Sequence, residues 1–218
     1  MKIAIIESVA SSPHLETAGE VALSLKKKNK VHFFWAGYNL PWNDWDLPLY
    51  LKIFGGSYKK KVDKFKNSLS KNGIEIDEPL ININYKKIHS WSNNFRGNLS
   101  SLKKYKYDDN HLGAGAASSI ISYLKNEKVN TKKYNKEIYH LLFSAAIVYE
   151  RAKSYLNENN FSRIYTFNNR FATCYPIICA ANKLQIKTIR HERGSTLKKY
   201  ELYKKDVHNL ELTKKNFD

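Results

Sequence analysis

Three polar stretches of this chain hold side chains able to do chemistry: Ser11-Ser12-Pro13-His14-Leu15-Glu16, Asn168-Asn169-Arg170 and His191-Glu192-Arg193-Gly194. An imidazole or carboxylate at His14 or Glu16 is able to take a proton from an attacking hydroxyl. Asn168, Asn169 and Arg170 offer amide donors and acceptors beside one fixed cation. A sugar needs such paired groups, and a phosphate needs the cation. His191, Glu192 and Arg193 add a second charged cluster, and Gly194 permits a tight turn or a close backbone approach. Plainer uses exist for each. Glu16 complements a helix N-terminus, Asn169 caps a helix, and Glu192 orders its loop by ion pairing. Capping explains one asparagine and leaves Asn168 and Arg170 over.

These stretches gain meaning from the elements around them. Residues 2–7, KIAIIE, read as a buried strand. Ser12-Pro13 is a helix-start signal, and Leu15, Ala18, Ala22 and Leu25 then place one apolar helix face. Residues 31–36, VHFFWA, give a second strand, parallel to the first across a β-α-β unit. Residues 38–56 hold two Trp and two Pro, an ordered excursion anchored by aromatics. A helix is expected over 57–71, with Val62, Phe65 and Leu69 on one face, then strands at IEID (74–77) and LININY (80–85). Residues 86–110 show no assignable pattern. Helices follow from His111 to Lys125, capped by Asp109 or Asn110, and over 135–158. The alternation resumes with strand RIYTF (163–167), helix 170–185 with Pro176 in its first turns, and strand IKTIRH (186–191).

This pattern predicts an α/β, doubly wound, mostly parallel sheet with helices on both faces. Ligands of such sheets bind outside the strands' carboxyl ends, at the point where strand order reverses. SSPHLE, WAGY, FNNR and HERGS all fall at such ends, and the first and third should be neighbours there.

Other motifs carry less. GAGAAS (113–118) mimics a dinucleotide fingerprint, but no strand precedes it and no acidic partner follows, so close helix packing is the better reading. Asp108-Asp109 reads as capping, and no metal or cofactor site is expected. Cys174 and Cys179, the only cysteines, are five apart in one expected helix, so neither a disulfide nor a metal pair is expected. No window is apolar enough to span a membrane, and MKIAIIES turns polar too soon for a signal peptide. A cytoplasmic location follows, with peripheral contact at the inner face of the membrane through basic residues. The net charge of +17 invites a nucleic-acid reading. Only six of the 37 basic residues are Arg, and the Lys is spread along the chain, so that reading is set low.

FNNRFATCYPIICAANKLQIKTIRHERGS resembles the N-terminal half of bacterial surface-polysaccharide glycosyltransferases of the GT-B type. In those enzymes a strand ends in a phrase like F-N-G-R-F-A, and the next strand ends in an H/Y-E-R-G phrase. SPHLETAGEVA and LGAGAASSIISYL also look like that family. Asn169 stands where the family usually carries Gly. The resemblance implies one half of a two-domain enzyme: residues 1–218 form a single Rossmann-like acceptor domain, and the nucleotide-sugar domain is not in this chain. It further implies sugar transfer to a growing, lipid-linked glycan without a metal. His14 or Glu16 would act as base, and Ser11, Ser12, Asn168, Asn169, Arg170, His191, Glu192 and Arg193 would bind the acceptor. The isolated chain would lack transfer activity. The competing readings are a noncatalytic carbohydrate- or phosphate-binding module and, less favoured, a basic nucleic-acid-binding domain.

Overall fold

The computed structural model describes residues 1–42, 48–193 and 199–204, apart from the side chains of 48–55. Trp45, Gly194 and the run beyond residue 204 therefore lie outside the described residues.

Strand β1 (Lys2–Glu7) is buried from its second residue onward. Its side chains alternate between two cores, as the pleat requires. Ile3 and Ile5 join one apolar cluster, and Ala4 and Ile6 join the other. Helix α1 (His14–Leu25) packs on the first face through Leu15, Ala18 and Ala22, with α2 (Pro48–Lys71) beside it through Val62 and Leu69. Strands β2 (Lys30–Trp35) and β3 (Glu75–Asp77) extend the sheet on that side. The second face carries α3 (Tyr85–Asn93), α4 (Leu99–Lys103), α5 (Leu112–Leu124) and α6 (Asn135–Asn157). It also carries α7 (Tyr175–Lys183), which links β4 (Arg163–Phe167) to β5 (Lys187–Arg193). A last strand, β6 (Tyr200–Tyr203), closes the sheet.

The strand order is β3-β2-β1-β4-β5-β6. Every pairing is parallel except that of β5 with β6. This is the expected α/β, doubly wound, Rossmann-like architecture. The order reverses between β1 and β4, so SSPHLE and FNNR are neighbours as the sequence predicts.

Several local expectations are corrected. Residues 80–84 form no strand, because Asn84 accepts a hydrogen bond from Lys87 N at 2.9 Å and starts α3 instead. Residues 86–110, unassigned from sequence, form α3, α4 and a bridge between Tyr107 and Asn110. Helix α2 begins at Pro48, nine residues before the expected start at 57. The strand expected to end at residue 191 runs on to Arg193, because β6 pairs with it as far as that residue. Pro13 rather than Ser12 stands at the cap of α1. Neither Asp109 nor Asn110 caps α5, whose cap residue is His111. Asp108 is no cap either. Its carboxylate accepts hydrogen bonds from Tyr149 Oη at 2.6 Å and Lys153 Nζ at 2.7 Å, and pairs with Lys183 Nζ at 2.9 Å. Burial alone would raise its pKa, but these donors hold it well below the usual carboxylate range.

The helix expected from residue 170 begins only at Tyr175, with Pro176 in its first turn. Residues 168–174 instead form a turn pressed against α5. Ala172 N donates to Ser119 Oγ at 2.9 Å. A Cβ on Gly115 would stand 3.0 Å from Phe171 O, and one on Gly113 only 2.0 Å from Leu102 O. The glycines of GAGAAS thus let α5 approach two backbone segments, which is the packing role expected of them. Cys174 and Cys179 are buried and form no disulfide.

Candidate functional site

The register of three strands builds the floor of the crevice. β4 and β5 set Phe167 beside His191. β1 pairs with β4 through Ile5 and Tyr165, so two residues on, Glu7 comes level with Phe167. Glu7, Phe167 and His191 therefore form a row across the carboxyl ends at the reversal of strand order. Glu7 is 1% exposed and His191 not at all. Glu7 Oε1 accepts from Phe167 N at 3.0 Å and lies 2.6 Å from His191 Nε2, so a short hydrogen bond joins the carboxyl group to the ring. Burial pushes the Glu7 carboxyl up, and His191 and Phe167 N oppose that rise.

The first residue of α1 covers this row. The His14 ring lies 4.0 Å from the ring of Phe167. Burial lowers its pKa to about 4, with help from the charges of His191 and Arg193 and opposition from Glu16. His14 is therefore a neutral imidazole at pH 7 and can accept a proton. Glu16 stands apart on the exposed side. Burial would raise its pKa, but Ser12 Oγ, at 2.6 Å, and Lys61 Nζ, at 3.6 Å, hold it below the ordinary carboxylate value. Lys61 Nζ also donates to Ser12 Oγ at 2.8 Å. Ser12 and Glu16 are thus tied to α2, whereas the Ser11 hydroxyl is buried with no hydrogen-bond partner among the described residues.

The turn after β4 forms the opposite wall. Asn168 is buried and has a positive φ of 47°. Asparagine tolerates this left-handed conformation better than most residues. Its backbone N donates to His191 O at 3.0 Å and its side-chain Nδ2 to Glu192 Oε2 at 2.5 Å. Its Oδ1 accepts from Asn169 N at 2.5 Å. Asn168 therefore holds the wall together with both ends of its amide. Asn169 caps no helix, since α7 starts six residues later. It is half-buried, whereas Arg170 is exposed with its guanidinium 4.6 Å from the centre of the Phe171 ring. Of the expected binding residues, Ser12, Asn169 and Arg170 reach the surface, Glu192 and Arg193 are half-buried beside them, and His191 acts from behind the wall.

Sequence reasoning missed Glu7, Ser8 and Thr173. Ser8 Oγ donates to Thr173 O at 2.8 Å, stitching the end of β1 to the turn after β4. One signal for Glu7 existed: a carboxylate closing an otherwise apolar strand. WAGY contributes through Gly37, where a Cβ would stand 2.6 Å from Ser8 O. Only glycine allows the ends of β1 and β2 to come so close.

Beyond Gly37, at the ends of β2 and β3, a cavity of about 460 Å³ is lined by Trp35, Tyr38, Lys66, Glu78 and Arg151 among others. Lys66 Nζ bonds Tyr38 and reaches Glu78 Oε1 at 2.5 Å and Asp63 Oδ1 at 3.2 Å. Burial would lower its pKa, yet these partners raise it above the ordinary lysine value. The cavity therefore keeps a fixed cation.

One group of possible metal ligands occurs among the described residues: His32, Glu75 and Asp77, at the β2–β3 edge. His32 Nδ1 lies 2.9 Å from Asp77 and Nε2 lies 3.4 Å from Glu75, which Lys30 also holds at 3.0 Å. Each ring nitrogen faces a different carboxylate, so the arrangement is that of an edge clamp.

No protein-family model, curated protein or solved structure matches this chain.

Proposed function

We propose that this chain is the acceptor-binding domain of a GT-B type glycosyltransferase. In this reading the enzyme moves a sugar from a nucleotide-sugar to a growing surface glycan and works at the inner face of the membrane. The observation that carries it is the crevice between β1 and β4. There His14, a neutral imidazole, packs on Phe167 at the end of β4, and the turn that follows carries half-buried Asn169 and exposed Arg170. Amides bind sugar hydroxyls in pairs, a guanidinium binds phosphate, and a neutral imidazole accepts the hydroxyl proton. The nucleotide-sugar would be held by a second domain.

One observation favours a second reading, a noncatalytic carbohydrate- or phosphate-binding module. A base with a pKa of about 4 removes a proton weakly at pH 7. Two variants separate the readings. In the enzyme that carries this domain, His14→Ala should lower turnover roughly 100-fold, the ordinary worth of a general base. Arg170→Ala should raise the acceptor KM about tenfold, the worth of one charge-assisted contact. Glycan binding that survives His14→Ala in a protein with no transfer activity would leave the binding module standing. Unchanged kinetics in both variants would remove this crevice as the site.

A further inference from the structure

A second cavity, of about 730 Å³, opens between α3, the 94–98 turn and the start of α6. It shares no lining residue with the crevice. Arg151 of α6 donates to the carbonyls of Ala36 and Tyr38, just past the end of β2. Tyr139 stands twelve residues nearer the start of that helix, about 18 Å from Arg151 along its axis at 1.5 Å per residue. The volume falls in the range of small-molecule sites.

Its lining is chemically one-sided. Arg96, Lys132 and Lys136 line it, and no carboxylate does. In a chain with 20 acidic residues, such a cavity would repel cations and attract a multiply charged anion. Arg96 is pinned in place, because its Nη1 donates to the carbonyls of Asn93 and Phe95. Both bonds use one terminal nitrogen, so the other terminal nitrogen and Nε–H remain for a ligand. The same cavity offers ring faces. His89 and Tyr139 lie 5.7 Å apart, edge to face, and form an aromatic corner. Burial raises the Tyr139 pKa, which keeps its hydroxyl as a neutral donor.

We propose that this cavity binds a small phosphorylated ligand that carries a ring. The phosphoryl oxygens lie among Arg96, Lys132 and Lys136, and the ring packs against Tyr139 and His89. Arginine gives a planar, two-pronged grip on the phosphate, and the lysines add point charges. A ring on an aromatic corner adds contact area that inorganic phosphate lacks. The assignment does not depend on the role of the β1–β4 crevice.

Phenyl phosphate is the probe, titrated by calorimetry into the full chain beside inorganic phosphate and phenol. It should bind more tightly than either. Arg96→Ala/Lys136→Ala should weaken phenyl phosphate at least about tenfold, the worth of lost charge-assisted contacts. A charge-matched control in the exposed turn after α1, Lys27→Gln/Lys28→Gln, should leave its affinity unchanged. Lys136→Gln alone, at an exposed position, should reproduce part of the loss should the double variant unfold. The proposal is overturned by absence of binding up to about 10 mM, the weak end of specific recognition. It is equally overturned by equal affinity for phenol, or by equal losses in the cavity variants and the control.

Discussion

At the scale of single residues, the molecule rests on a contrast between two carboxylates. Glu16 is half in solvent, and its contact with Lys61 belongs to a class worth about 1 kcal/mol or less. Glu7 is fully enclosed with His191, where removing one partner strands the other. Glu7→Ala should therefore destabilise the fold by roughly 3 kcal/mol or more in urea unfolding, whereas Glu16→Ala should change it by less than about 1 kcal/mol. Equal effects would mean that Glu7 has no special place. His14 gives a pH signature. Its folded-state pKa, about 4, lies below its ordinary 6.5, so the unfolded chain takes up the proton first as pH falls. Its contribution to stability is complete above the ordinary value and is lost as pH drops from there to about 4. Glu7 has the opposite sign, because its raised pKa contributes stability that is lost as pH climbs through its folded value. The difference between wild type and His14→Gln isolates the first effect. Thermal melts across that window should show wild type losing stability faster toward acid. A flat difference would show that His14 is not held neutral. Glu7 was illegible in the sequence because its partner lies 184 residues away and a charged strand end ordinarily points to water. His14, Asn168 and Arg170 were legible because strand-helix alternation put them at carboxyl ends.

At the scale of elements, β1, α1, β2, α6 and β4 were readable because burial on one face or both left a regular apolar period. Residues 80–110 were not, because their order comes from tertiary aromatic contacts. Trp91 stacks on Tyr105 at 5.0 Å, meets Tyr107 edge-on at 4.9 Å and donates from Nε1 to Lys106 O at 2.6 Å. No local period records such contacts. The start of α7 was misplaced for a related reason: Ser119 and Gly115 hold residues 171–172 in a turn that helix propensity alone would not choose. Gly115→Ala tests this seam, and Gly113→Ala tests the other close approach of α5, to Leu102. Its new Cβ would meet Leu102 O at 2.0 Å, so backbone must move, at a cost of about 2 kcal/mol. Gly115→Ala, at 3.0 Å, should cost less. Chemical denaturation of both variants orders the two, and the reverse order would contradict these two spacings.

At the scale of the whole molecule, the +17 charge is spread rather than gathered. Exposed lysines stand at the end of α1 and along α2 on one face of the sheet, and on α3 on the other face. A duplex needs a continuous basic stripe. Fluorescence anisotropy with duplex DNA should therefore show binding at low salt that disappears near physiological ionic strength. Persistent affinity there would restore the nucleic-acid reading. The turn after β4 has a different whole-molecule consequence. Ser8 holds it from just past β1, Ser119 from α5 and His191 from β5, so its backbone is fixed from three sides. The conformational entropy of ordering that wall is spent during folding, before any ligand arrives. On the proposed reading, a ligand captured by Arg170 would immobilise one side chain and no loop, a difference that favours fast association and a small entropic cost.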